Sequence, residues 1–299
     1  MSLRKATLVA VSLVVLAVTA QPASAGIQWI GGNSGTQHWG VPTNWHKVPA
    51  RLPMTGEEVN IGSTANPTGD AWVLFDATDG TGYTGQCYLG RDYNARLDQS
   101  GGTIQVSLWL SICGNANKFG EYNLSAGTLE ITTQPNDFSS LLIGSNRPSG
   151  GLTGLIGPGE MNHTGGQINA RYMSVGTDYS GKYAIGPNAH LDVLADLALG
   201  NSSTLELLLD SDTDLDMTVG GNATLGGSLV VTGGLTPADV GDGILILSAA
   251  GNVSGSFSSI TPGFDIELRS GSTDVYLVPE PAAVVLMLLG GALLRRRRY

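Results

Sequence analysis

The sequence predicts an all-β protein: a parallel β-helix (solenoid) closed by β caps at its N- and C-terminal ends, with a C-terminal transmembrane helix beyond the second cap. Three observations predict it. Gly supplies 43 of the 299 residues while charged residues make up 13%, a composition of tight turns between short Val/Ile/Leu/Thr runs rather than of helices. A short apolar motif ending in glycine recurs through the middle of the chain. The C-terminus joins a proline-rich turn, an apolar run and a block of arginines.

Taken in order, residues 1–25 have the form of a signal peptide. Arg4 and Lys5 precede an apolar run over 6–18, and Ala23-Ser24-Ala25 offers small side chains at the cleavage position. The mature chain is expected to begin at Gly26, the product of signal peptidase. Residues 26–86 read as an N-terminal cap. Trp29, Trp39 and Trp45 fall within 17 residues of one another, and such an aromatic cluster either plugs the open end of a core or stacks on sugar rings.

Residues 87–235 carry the repeat. Tyr88-Leu89-Gly90, Ile112-Cys113-Gly114, Leu142-Ile143-Gly144, Ser174-Val175-Gly176 and Ala198-Leu199-Gly200 place their glycines 24, 30, 32 and 24 residues apart. Between them a second pattern returns, as in Leu97-Asp98-Gln99-Ser100-Gly101-Gly102-Thr103-Ile104, Tyr122-Asn123-Leu124-Ser125-Ala126-Gly127-Thr128-Leu129 and Met161-Asn162-His163-Thr164-Gly165-Gly166-Gln167-Ile168. Pro187-Asn188 replaces the glycine pair in the next interval. Each interval is thus two or three strands with their turns, and the unequal lengths are insertions at turns, which stacked repeats tolerate. Residues 236–278 alternate as short strands with Gly/Ser turns and predict a closing antiparallel meander.

The tail, 279–299, opens with Pro279-Glu280-Pro281, continues with thirteen apolar residues over 282–294 and ends in Arg295, Arg296, Arg297, Arg298 and Tyr299. The prolines keep the chain extended and lacking amide donors, which leaves it open to a processing enzyme. At about 1.5 Å per residue the apolar run gives roughly 20 Å of helix, short of the ~30 Å hydrocarbon core, so it spans with thinning or snorkelling flanks. The arginines stop transfer on the cytoplasmic side. This order of parts resembles the PEP-CTERM sorting signal of Gram-negative bacteria, with Val278-Pro279-Glu280-Pro281 matching its short motif and Arg295 to Arg298 its basic end. The resemblance implies recognition by an exosortase, an integral membrane transpeptidase-like enzyme, and delivery of the passenger to the cell surface or outside. A tail anchor that is never cut is the other reading. The Gly-rich repeat is similar to the β-strand repeats of autotransporter passengers and of many exported PEP-CTERM proteins.

Removing both terminal signals leaves 9 Lys+Arg against 24 Asp+Glu over residues 26–278, a net charge of about −15. That argues against Coulombic binding of nucleic acid or acidic polysaccharide and leaves a cationic partner open. Cys87 and Cys113 lie 26 residues apart, about one repeat, and stacked strands bring such positions within disulfide range. A disulfide and two buried free thiols both stand as readings. Asp210, Asp212, Asp214 and Asp216 alternate; on a strand they would share one face and collect Ca²⁺, or form a solvated outer face. Leu215 and Gly221 break the EF-hand pattern. His38, His46, His163 and His190 form no ligand pair by spacing, and His163 and His190 fall in repeat turns. Arg91, Arg96, Lys118, Arg147, Arg171 and Lys182 are scattered through turns without a common offset. No cofactor is implied. The function expected is that of an exported, exosortase-processed structural or adhesive protein without catalysis, with a polysaccharide-binding or polysaccharide-degrading β-helix as the alternative.

Overall fold

The computed structural model describes residues 26–32, 37–46, 49–64, 69–113, 118–132, 139–145, 157–271 and 273–281. Among the described residues, twenty-one strands join in one sheet, nearly all of it parallel. The pairings sort into three ladders, and the chain passes through them in the same order again and again. Alternation of side chains along each strand then sends every second residue to a shared core.

In the first ladder Ile27, Val59, Cys87, Leu110, Leu141, Met173, Leu197, Ala223 and Val253 lie opposite one another in unbroken register, none more than 7% exposed. The second stacks Val73, Leu97, Tyr122, Met161, Tyr183, Leu205 and Leu229. The third stacks Ile104, Leu129, Ile168, Leu191 and Met217. All three columns belong to one apolar core. Each fully buried Leu or Ile contributes about 1.5–3 kcal/mol, so the columns supply the main driving force.

The parallel pairing begins before residue 87 and continues past 235, through Val253–Gly255 and Ser259–Ile260. At the far end Ile244–Ala249 pairs parallel with Asp216–Val219 and antiparallel with Asp274–Pro279, which also pairs antiparallel with Phe264–Arg269. This reversal covers the open edge of the third ladder.

Glycine recurs because the turns recur. Gly90, Gly144, Gly176 and Gly200 each donate their N–H to the last strand residue of the repeat before, Ile61, Ile112, Ile143 and Val175, at 2.8–3.0 Å. Gly114 lies outside the described residues. The bend between the second and third ladders needs glycine twice over: Gly102, Gly127 and Gly166 all have positive φ, and a Cβ on Gly127 would stand 2.5 Å from the carbonyl oxygen of Gly102. Where Pro187-Asn188 takes the place of the pair, the ladder carries an irregularity between Ile185 and Asn188.

The front is sealed by tryptophans. Trp29, Trp39 and Trp45 are 0–1% exposed, with ring centroids 5.0 Å (Trp29–Trp45) and 4.7 Å (Trp39–Trp45) apart in edge-to-face contact. Trp45 donates its ring N–H to Trp39 O and Trp29 to Gly32 O, so neither polar tip is stranded in the core. No helix among the described residues is long and apolar enough to cross a membrane. The expected signal peptide, with Ala23 and Ala25, and the expected membrane helix, with Arg295 to Arg298, lie outside the described residues.

Candidate functional site

The sorting motif starts on the last strand. Pro279 is still in register with Phe264, and the Glu280 N–H bonds Gly263 O at 2.9 Å, while Glu280 and Pro281 are exposed. At the other end Gly26 directly precedes the first strand, Ile27–Trp29.

The four aspartates do not share a strand face. Residues 210–215 form a turn and loop, with Asp210, Asp212 and Asp214 exposed and Leu215 directed into the core; Asp216 alone begins a strand. Asp214 instead accepts the Leu245 N–H at 2.7 Å and Asp216 pairs with His190. The aspartate alternation thus follows a loop that closes around a buried leucine, and it assembles no cation site.

The cysteines are free thiols on opposite sides of the sheet. Cys87 is in register with Leu110, not with Cys113, and faces the core. Cys113, three positions on, packs outside with Tyr88, Trp109 and Leu142 and sits 3.0 Å from Ser111 Oγ. Burial raises the Cys87 thiol to about 12 and raises Cys113 as well, against the bond to Ser111. Neither is a poised nucleophile.

Two of the basic residues that spacing scatters are in fact aligned. On the outer side of the second ladder Arg96, Glu121, Glu160 and Lys182 lie in consecutive register. Arg96 stacks 4.6 Å from the Trp72 ring centroid and bonds Asp98 at 2.8 Å; Asp98 also accepts from Trp72 Nε1 at 2.6 Å and from Asn123 at 2.7 Å. Asn162 continues to Asn123 at 2.8 Å, and Lys182 bridges Glu160 and Glu206 at 2.9 and 2.7 Å. Desolvation works against the Lys182 ammonium, but the bonds to Glu206 and Glu160 still hold it above its ordinary value. Nearly every one of these contacts crosses from one repeat to another, so the strip fastens the stack laterally.

His163 is not in an exposed turn. It lies in the inward column Gln99, Leu124, His163, Ile185 and is 0% exposed. Its Nε2 faces Gly166 O at 3.1 Å, which makes that nitrogen the donor, and Nδ1 then accepts the Tyr183 hydroxyl at 2.8 Å. Burial, helped slightly by His190 and opposed by the Gly166 bond, lowers its pKa to about 4. Gln99 solves the same problem earlier in the column, accepting from Tyr122 and donating to Thr128 O at 3.0 Å.

One grouping escaped spacing arguments altogether. In the front cap His38, Asp76 and Asp79 bring one ligand atom each within 4.8 Å of the others, the only such trio among the described residues. Thirty-eight residues separate His38 from Asp76; the isolated bridge between His38 and Leu74 joins them.

Compared with protein-family models, curated proteins and solved structures, the chain matches none.

Proposed function

We propose that this chain is an exported, non-catalytic structural or adhesive protein whose strands wind as a parallel β-helix, and that an exosortase acts at Pro279-Glu280-Pro281 to release it to the cell surface or the extracellular matrix. The observation that carries this reading is continuity. One inward column runs in register from Ile27 to Val253, and the closing strand leads straight into Pro279. Such a body is a rod whose length scales with repeat number and whose base sits at the processing site. Membrane contact through 282–294 is transient in this scheme, and extracellular polysaccharide is the natural surrounding partner.

The alternative, a β-helix that binds or degrades polysaccharide, loses its aromatic platform: the three front tryptophans are sealed in the core. The test is replacement of Pro279-Glu280-Pro281 by three alanines in the native host, with cell fractionation and mass spectrometry of both ends. The variant is expected to be exported, trimmed to Gly26 and retained uncut in the membrane. Removal of Arg295 to Arg298 should instead let the chain slip through unprocessed. Release of the alanine variant as efficiently as the parent would overturn the sorting reading and leave the rod reading intact.

A further inference from the structure

We propose that His38, Asp76 and Asp79 bind a divalent cation of the zinc class that clamps residues 38–40 to 76–79 within the front cap. The reading is independent of how the protein is sorted. His38 Nδ1 stands 3.3 Å from Asp79 Oδ2 and 3.8 Å from Asp76 Oδ2. Bonds of about 2.0–2.1 Å in a tetrahedron set neighbouring ligand atoms about 3.3 Å apart. The first separation has that value, and the second is too long for a hydrogen bond yet closes to it with a small rotation of Asp76.

The ligands are held from behind. Asp79 Oδ1 accepts the Gly40 N–H at 2.8 Å, and Asp76 Oδ1 accepts the Thr78 N–H at 2.7 Å, which leaves both Oδ2 atoms toward the imidazole. Asp79 Oδ2 also takes the Asp76 N–H at 2.9 Å, fixing its position. His38 is anchored through its carbonyl, which accepts from Asn44 Nδ2 at 3.0 Å.

Charge provides the independent argument. The Asp79 side chain is 4% exposed and Asp76 34%. Among the described residues neither carboxylate has a Lys or Arg within ion-pair distance; their shared partner is one imidazole. Glu57 and Glu206, by contrast, each meet a full cation, Arg51 and Lys182. Backbone N–H groups and the Thr78 hydroxyl answer the two carboxylates, but no Lys or Arg among the described residues does, and the nearly buried Asp79 charge is costly without a cation. A divalent cation cancels it. The His38 side chain, 36% exposed, leaves solvent access for entry and for water to complete the coordination. One nitrogen and two oxygens suit zinc rather than calcium, which takes six to eight oxygens. The clamp would tie residues 38–40 to 76–79 across the first edge of the second ladder.

The test uses the full mature chain stripped with chelator. Zinc titration calorimetry is expected to show one equivalent bound, with the melting temperature raised, and Co²⁺ is expected to give the visible absorption of a low-coordinate site. His38→Gln and Asp76→Asn should each weaken binding at least tenfold, while Asp239→Asn, at a distant turn, should leave it unchanged. Asp76→Asn keeps its Oδ1 acceptor and so reports even if His38→Gln fails to fold. Absence of bound zinc, or equal affinity in the parent and Asp76→Asn, would overturn the proposal.

Discussion

Acidifying the protein should expose His163 as a built-in weak point. In the unfolded chain this imidazole takes a proton near 6.5, whereas in the folded core it resists until about 4. Between those values the unfolded state binds more protons, so stability falls as pH falls and levels off below about 4. The shift corresponds to roughly 3 kcal/mol in full and about 2 kcal/mol at pH 5. The His163→Gln variant isolates the effect. Glutamine at this position copies Gln99 in the same inward column, where the amide accepts from Tyr122 and donates to a turn carbonyl. It should therefore accept from Tyr183 and donate to Gly166 without a titrating group, at a cost near neutral pH of about 1 kcal/mol. Urea unfolding at pH 7.5 and pH 5 is the assay. Carboxylates titrate alike in both proteins, so the difference between them is diagnostic: the parent should lose about 2 kcal/mol more than the variant on acidification. Parallel losses in the two proteins would refute the burial of a neutral imidazole.

Three further outcomes follow from the stacking. Gly144→Ala, at φ 56° with its Cβ 2.2 Å from Ser180 O, should destabilise by several kcal/mol, whereas Gly56→Ala, at φ 84° with nothing within 4 Å, should cost only the ~1–2 kcal/mol of left-handed strain; thermal melts compare them. Trp45→Ala should cost about 3–5 kcal/mol by opening the sealed end, read by denaturant unfolding. A thiol reagent should find both cysteines unreactive in the folded protein and two equivalents after unfolding without reductant; finding none would restore the disulfide.

The all-β class and the parallel habit were legible because stacked repeats translate contact into period. Residues that touch in the columns are about one interval apart, so Leu141 and Met173 advertise their pairing through the flanking Gly144 and Gly176. Intervals counted from glycine to glycine do not give register to the residue, however. Cys87 and Cys113 are about one interval apart and still face opposite sides, because the partner of Cys87 is Leu110. Alternation has the same weakness. Asp210 to Asp216 alternate as a strand would, but a loop around Leu215 uses the pattern differently.

The periodic part is therefore legible in the residues: strands, turns, the glycines at the turns, and a cluster of tryptophans at one end. Which polar residues lie inside, and which of them meet, depends on how the strands are packed together. Gln99 and His163 occupy inward positions, and His163 reads from the sequence as a turn residue, since only the neighbouring repeat supplies the tyrosine that satisfies each of them. Arg96 and Lys182 become one strip only when the register aligns their strands. His38 reaches Asp76 and Asp79 through a single isolated bridge to Leu74. Periodic contacts leave a mark in sequence because each is made many times over, whereas a contact made once leaves none.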